Sequence, residues 1–162
     1  MTNRTIQTVR FMSREAAEDC EPHHNTSMIS IAEPGAFDAE IKPGFRSLLR
    51  LFFEDADEEW LCVPVGSIPD MAKDGGVLIV RDFLLPDLHH AREVVAFIED
   101  GDFEHLAVHC FAGRSRSAAV AQFVSDRYGA ELLLQNHIIG TQYKNNRLYR
   151  LLHTAFLERH PD

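Results

Sequence analysis

The stretch "EHLAVHCFAGRSRSAAVAQFV", Glu104 to Val124, passes through three kinds of local order. "EHLAVHC" reads as a short strand and "FAGRS" as a tight loop. The run that follows reads as a helix, with Val120, Phe123, Val124 and Tyr128 on one apolar face and an end at Gly129 in "YGAE". A strand that feeds through a short loop into a helix is half of a parallel β-α-β unit. This segment therefore decides for an α/β domain.

Outward from it, the pattern repeats. Upstream, "TIQTVRFM" alternates as a first strand, and "SREAAEDC" brings a capping serine and helix formers. "TSMISIAEPG" is a buried strand closed by a Pro-Gly turn, and "FRSLLRLFFED", Phe45 to Asp55, is a strand that stops abruptly in carboxylates. From Pro86 and Asp87, which act as start signals, a helix sets Leu88, Ala91, Val95 and Ile98 on one face. A final helix after "KNN" aligns Leu148, Leu151, Leu152 and Ala155. The expected fold is α/β, a mostly parallel central sheet flanked by helices on both faces. Residues 1–162 form one domain with an irregular excursion at about 56–76, which contains "VPVGSIPDMAKDGG". An excursion of that length inside a compact domain is often functional.

Composition narrows the function. A chain of 162 residues can bury roughly 70% of its unfolded surface, so one real core is available. A net charge of -9 argues against a surface that grips nucleic acid or anionic lipid, so neither is expected as a partner. Cys20, Cys62 and Cys110 are irregularly spaced and include no C-x-x-C pair, which points to a reducing compartment. The start lacks an apolar leader and no run approaches a membrane span, so the protein is expected to be soluble and cytoplasmic. The pairs His23-His24 and His89-His90 sit among polar neighbours and read as solvated surface histidines; no metal site is expected.

Inside this acidic chain, positive charge gathers around one thiol. Cys110 and Arg116 bracket Phe111, Ala112, Gly113, Arg114 and Ser115, with small residues that let the backbone curl. At the carboxyl end of a strand, such a loop can aim successive amides at an anion, helped by the start of the following helix. Arg116 adds a planar two-toothed fork to the same anion. Positive partners of this kind lower a cysteine pKa from about 8.5 to about 3.5–7.5. A thiolate beneath a phosphate or sulfate cradle implies in-line attack at phosphorus and a phosphocysteine that water later hydrolyses. Ser117 is placed to hydrogen-bond the sulfur as it departs.

"VHCFAGRSRSAAV" resembles the signature of the protein tyrosine phosphatase superfamily, His-Cys, five residues, then Arg-Ser, and its "AGxSRS" form looks like the dual-specificity branch. The wider stretch from "PDLHHAREVVAFIEDGDF" onward is similar to the same branch, and "NNRLYRLL" resembles a small bacterial set of such phosphatases. The resemblance covers the second half of the chain. It implies Cys110 as nucleophile, Arg116 as phosphate ligand, His109 in support and the Ser117 hydroxyl. A phosphorylated protein is the implied substrate, with phosphotyrosine leading and phosphoserine or phosphothreonine as additions, and no cofactor is implied. Arg114 departs from the commonest pattern, in which an apolar residue stands there. It reads either as a solvated rim arginine or as a second charge for a more highly phosphorylated ligand.

The family's general acid is an aspartate on a loop after a strand upstream of the cysteine. Asp55 ends its strand and is the favoured candidate. Asp82, close before the helix, and Asp57 compete with it, and any of the three can also be a solvated loop carboxylate. Three other readings stand beside the phosphatase: a rhodanese-like sulfurtransferase or arsenate reductase, a non-catalytic phosphate-binding module, and a thiol sensor that pairs Cys110 with Cys20 or Cys62.

Overall fold

The computed structural model describes residues 5–56, 85–134 and 140–161. Its centre is a five-stranded sheet in the order β3-β2-β4-β1-β5. The strands are β1 (Thr8–Ser13), β2 (Thr26–Ala32), β3 (Leu48–Phe52), β4 (His105–Cys110) and β5 (Glu131–Leu133). Every neighbouring pair is parallel, so all five carboxyl ends meet one edge.

Four helices are described: α1 (Arg14–Asp19), α2 (Leu88–Asp100), α3 (Arg116–Tyr128) and α4 (Asn146–Arg159). Alternation along the strands sorts them onto two faces. Val9, Phe11, Ile29, Ile31, Leu106, Val108 and Cys110 join one core with α2, α3 and α4. Met28 and Ala107 point the other way and meet Ala17 of α1, with Ile41, Phe45 and Met12 packed alongside. The larger core centres on Phe123, fully buried and met edge-on by the rings of Tyr128, His153 and Phe156. Edge-to-face pairs add about 0.5–1.5 kcal/mol each beyond their burial.

The helix starts follow from their first residues. Ser13 accepts from the Ala16 amide to open α1. In α2, the Asp87 side chain accepts from the His90 amide while the His90 ring accepts from the Asp87 amide, a reciprocal cap. Gly129, with φ 72°, closes α3 in the left-handed conformation its sequence anticipates. Among the described residues, no helix is long and apolar enough to cross a membrane.

Several expectations need correction. His90 is not a solvated surface residue: it is buried, its ring centre lies 4.8 Å from that of Phe53 at a tilt, and it takes part in the cap, whereas His23, His24 and His89 are exposed. The strand expected over 45–55 is hydrogen-bonded as strand only over Leu48–Phe52. Its flanks still pair, with the Phe53 amide donating to Ala32 O and the Arg46 amide to Thr26 O. Strand β5 follows the Gly129 stop unanticipated, since three residues are too few to show a period. The excursion lies outside the described residues from 57 onward.

Candidate active site

Parallel strands deliver four segments to one edge. Arg14 follows β1, Glu33 follows β2, Asp55 lies just past β3, and Cys110 is the last residue of β4. Cys110 is buried at the floor of a pocket of ≈ 640 Å³. Phe111, Ala112, Arg114, Ser115, Arg116, Asp55, Glu33 and Tyr143 line the same pocket.

Two groups approach the Cys110 sulfur. The Ser117 Oγ lies 3.1 Å away and the Gly113 amide donates at 3.3 Å. The loop can turn this tightly because residue 113 is glycine. Its φ is 71°, and a Cβ there would lie 2.5 Å from the backbone carbon of Met12 and the amide nitrogen of Ser13. The end of β1 thus presses against the loop, and the Arg14 amide donates to Phe111 O to fasten the contact.

Arg116 is buried, with two of its guanidinium nitrogens held. Its Nη1 donates to Phe53 O at 2.9 Å and its Nη2 to Glu33 Oε1 at 2.6 Å. Its Nε is buried with no partner, a donor that waits for an acceptor. Burial pushes the Glu33 carboxyl up. The Arg116 hydrogen bond, the backbone of its own loop and the charges of Arg116 and Arg14 outweigh that and hold it below the ordinary carboxylate range. Glu33 therefore anchors the arginine as an anion.

His109 points to the opposite face of the sheet from Cys110, as alternation requires. Its Nδ1 lies 3.2 Å from Cys110 O and its Nε2 2.6 Å from Ser30 Oγ. A carbonyl only accepts, so Nδ1 carries the proton and Nε2 accepts from Ser30. Desolvation pushes the imidazole pKa down, with the Arg14 and Arg50 charges adding to it against the Cys110 carbonyl, so the ring stays neutral. It braces the strand end rather than touching the pocket.

Helix α3 opens differently from α2. Ser115 stands at its cap position but makes no capping bond; its hydroxyl donates to Asp55 Oδ1 at 2.6 Å. Asn145, buried at the cap of α4, donates through Nδ2 to the same Asp55 oxygen at 2.9 Å. At the mouth, Phe111 and Tyr143 are 66% and 59% exposed, so two aromatic rings rim an otherwise polar hole.

The residues singled out in sequence thus converge: Asp55 joins Cys110, Phe111, Ala112, Arg114, Ser115 and Arg116 in one pocket, with Gly113 and Ser117 beneath. Asp57, Asp82 and Cys62 lie outside the described residues. Cys20 is a free thiol that accepts from Arg10 at 3.1 Å. Sequence reasoning did not single out Glu33, Asn145 or Tyr143. A carboxylate just past a wholly buried strand and an asparagine opening a helix were the available signals. Among the described residues, no three His, Cys, Asp or Glu side chains cluster as metal ligands. No family model matches the chain, and neither curated proteins nor solved structures give a match.

Proposed function

We propose that the chain is a cysteine-dependent phosphatase that hydrolyses phosphotyrosine in proteins. The observation that carries this reading is the unpartnered, buried Arg116 Nε, at one end of the loop whose Gly113 amide donates to the Cys110 sulfur. A phosphoryl group seated there satisfies that donor. Its oxygens also meet the uncapped start of α3.

In the first step, Cys110 Sγ attacks phosphorus in line with the ester oxygen. The S–P bond forms, the P–O bond breaks, and Asp55 gives its proton to the leaving phenolate. In the second step, the Asp55 carboxylate takes a proton from water as that water attacks phosphorus. The S–P bond breaks, inorganic phosphate forms, and the Ser117 hydroxyl donates to the departing thiolate. Arg116 and the loop amides stabilise the charge spread over the equatorial oxygens in both steps.

Two features favour an aryl monoester over a polyphosphate. Phe111 and Tyr143 offer ring surfaces at the mouth, and the Glu33 carboxylate, paired with Arg116, offsets part of the positive charge around the hole. The test is a panel of phosphotyrosyl, phosphoseryl and phosphothreonyl peptides, an inositol phosphate and thiosulfate with cyanide, using wild type and Cys110→Ser. Phosphate release from the tyrosyl peptide that vanishes in Cys110→Ser supports the reading. Thiocyanate formation without phosphate release replaces it with sulfur transfer, and binding without turnover replaces it with a phosphate-binding module.

A further inference from the structure

We infer that Asn145 is a positioning residue for proton transfer, holding Asp55 by one carboxylate oxygen so that the other carries the proton. The inference rests on the phosphatase reading above.

Asn145 is 3% exposed and every polar group it owns is engaged. Its Oδ1 accepts from the Leu148 amide at 2.9 Å, which caps α4. Its Nδ2 donates to Asp55 Oδ1 at 2.9 Å and to Ala56 O at 3.0 Å. Its backbone amide donates to Ser115 O at 3.0 Å, and its own carbonyl accepts from Tyr149. Through its side chain and its backbone amide, this one residue ties together the segment after β3, the phosphate-binding loop and the last helix.

The residue type carries the argument. A helix start needs only an acceptor, and serine, threonine or aspartate serve as well as asparagine. None of these supplies an acceptor for the helix together with two amide donors for the Asp55 segment. The second task therefore singles out asparagine.

That task has a defined geometry. Asp55 Oδ1 receives both the Ser115 hydroxyl and the Asn145 amide, while Oδ2 has no hydrogen-bond partner among the described residues. With Oδ1 saturated, Oδ2 is the oxygen that holds the proton and passes it to the ester oxygen as the P–O bond breaks. The donor Ser115 belongs to the loop that grips the phosphoryl group, so the acid is registered against the reacting atoms rather than against its own strand. Asn145 acts only through Asp55 and touches neither sulfur nor phosphate.

The experiment compares wild type, Asn145→Ser, Asp55→Asn and the double variant on aryl phosphates of graded leaving-group ability. Serine keeps a cap for α4 but cannot reach Asp55. Positioned acids contribute about 10²–10⁴-fold, so Asn145→Ser should lose about 10-fold or more on phosphotyrosine and phenyl phosphate. It should stay within about 2-fold on a strongly activated ester. In the Asp55→Asn background the same change should cost nothing further.

Asn145→Asp supplies a readout that a cap alone cannot move. It preserves the cap but sets a carboxylate against Asp55, and two carboxylates in contact resist ionising together. The basic limb of kcat/KM should move to higher pH. Asp55 shares its pocket with Glu33, Cys110, Arg114 and Arg116, none of which either variant alters.

Equal losses across all leaving groups, or a full extra loss in the Asp55→Asn background, would overturn the inference. If Asn145→Ser loses its cooperative melt, an unshifted pH profile in Asn145→Asp overturns it instead. Absence of any Cys110-dependent turnover in wild type defeats the phosphatase reading and this inference with it. Normal wild-type turnover with unchanged leaving-group dependence defeats this inference alone.

Discussion

Helices α2 and α3 are the same length and open on opposite logic. At α2, Asp87 and His90 cap each other and the first turn is closed within the helix. At α3, Ser115 sits where a cap belongs, yet its hydroxyl is given to Asp55 and the first-turn amides have no side-chain cap. A start that satisfies itself is structural. A start without a side-chain cap, next to a buried thiol and a buried arginine, is where the proposed function puts the incoming phosphoryl group.

The largest break in that comparison comes from the arginine. Arg116→Lys keeps a positive charge but loses the fork, the bond to Phe53 O and the fixed reach to Glu33. Loss of a preorganised donor costs about 10²–10³-fold, so kcat on phosphotyrosine should fall at least that far while the far-ultraviolet circular dichroism is unchanged. Lysine with wild-type kcat would remove Arg116 from the chemistry.

Next comes Gly113→Ala. A left-handed φ costs a residue other than glycine about 1–3 kcal/mol, and the new Cβ would also meet the end of β1. Chemical denaturation should show a loss of at least that size, together with weaker binding of an oxyanion such as vanadate. A stable variant with intact vanadate affinity would mean that the loop needs no such curl.

Exchanging the two starts sharpens the contrast. Asp87→Ala should cost about 0.5–2 kcal/mol of stability with no change in kcat. Ser115→Ala removes no cap and should leave the melt nearly unmoved while lowering turnover of poor leaving groups, because Asp55 loses a donor. If both variants lose stability alike and activity alike, the two helix starts are equivalent and the comparison fails.

The smallest effect is acid sensitivity of the fold. Burial holds the His109 pKa below its ordinary 6.5, so the unfolded chain takes up a proton that the folded chain refuses. The stability this represents is intact above that value and is lost as pH falls below it. Thermal melts between pH 7.5 and 5.5 (about the span over which histidine ordinarily titrates) should drop less in His109→Asn than in wild type. Part of the drop should remain, since burial depresses His90 and His153 as well.

What the sequence made legible follows the range of the interactions. The strand, loop and helix around Cys110 are local, so residue spacing alone places Cys110, Gly113, Arg116 and Ser117. Asp55 is reachable through the resemblance, which asks for an aspartate after a strand upstream of the cysteine, but it lies three residues past β3 and is held by Ser115 and Asn145 rather than by the strand. Glu33 acts on Arg116 across 83 residues and Asn145 on Asp55 across 90, and no periodicity links positions so far apart. His90 was misread for the same reason: its neighbours in sequence are polar, but its ring lies on Phe53 from another element.

The most direct test of the open start as a phosphoryl-transfer site is a rapid acid quench during turnover of a phosphotyrosyl peptide, followed by peptide mass spectrometry of the protein. A phosphoryl group on Cys110, formed and consumed at rates that match steady-state turnover and absent in Cys110→Ser, is the expected result. Phosphate release that proceeds with no modified Cys110, or that survives in Cys110→Ser, would contradict it.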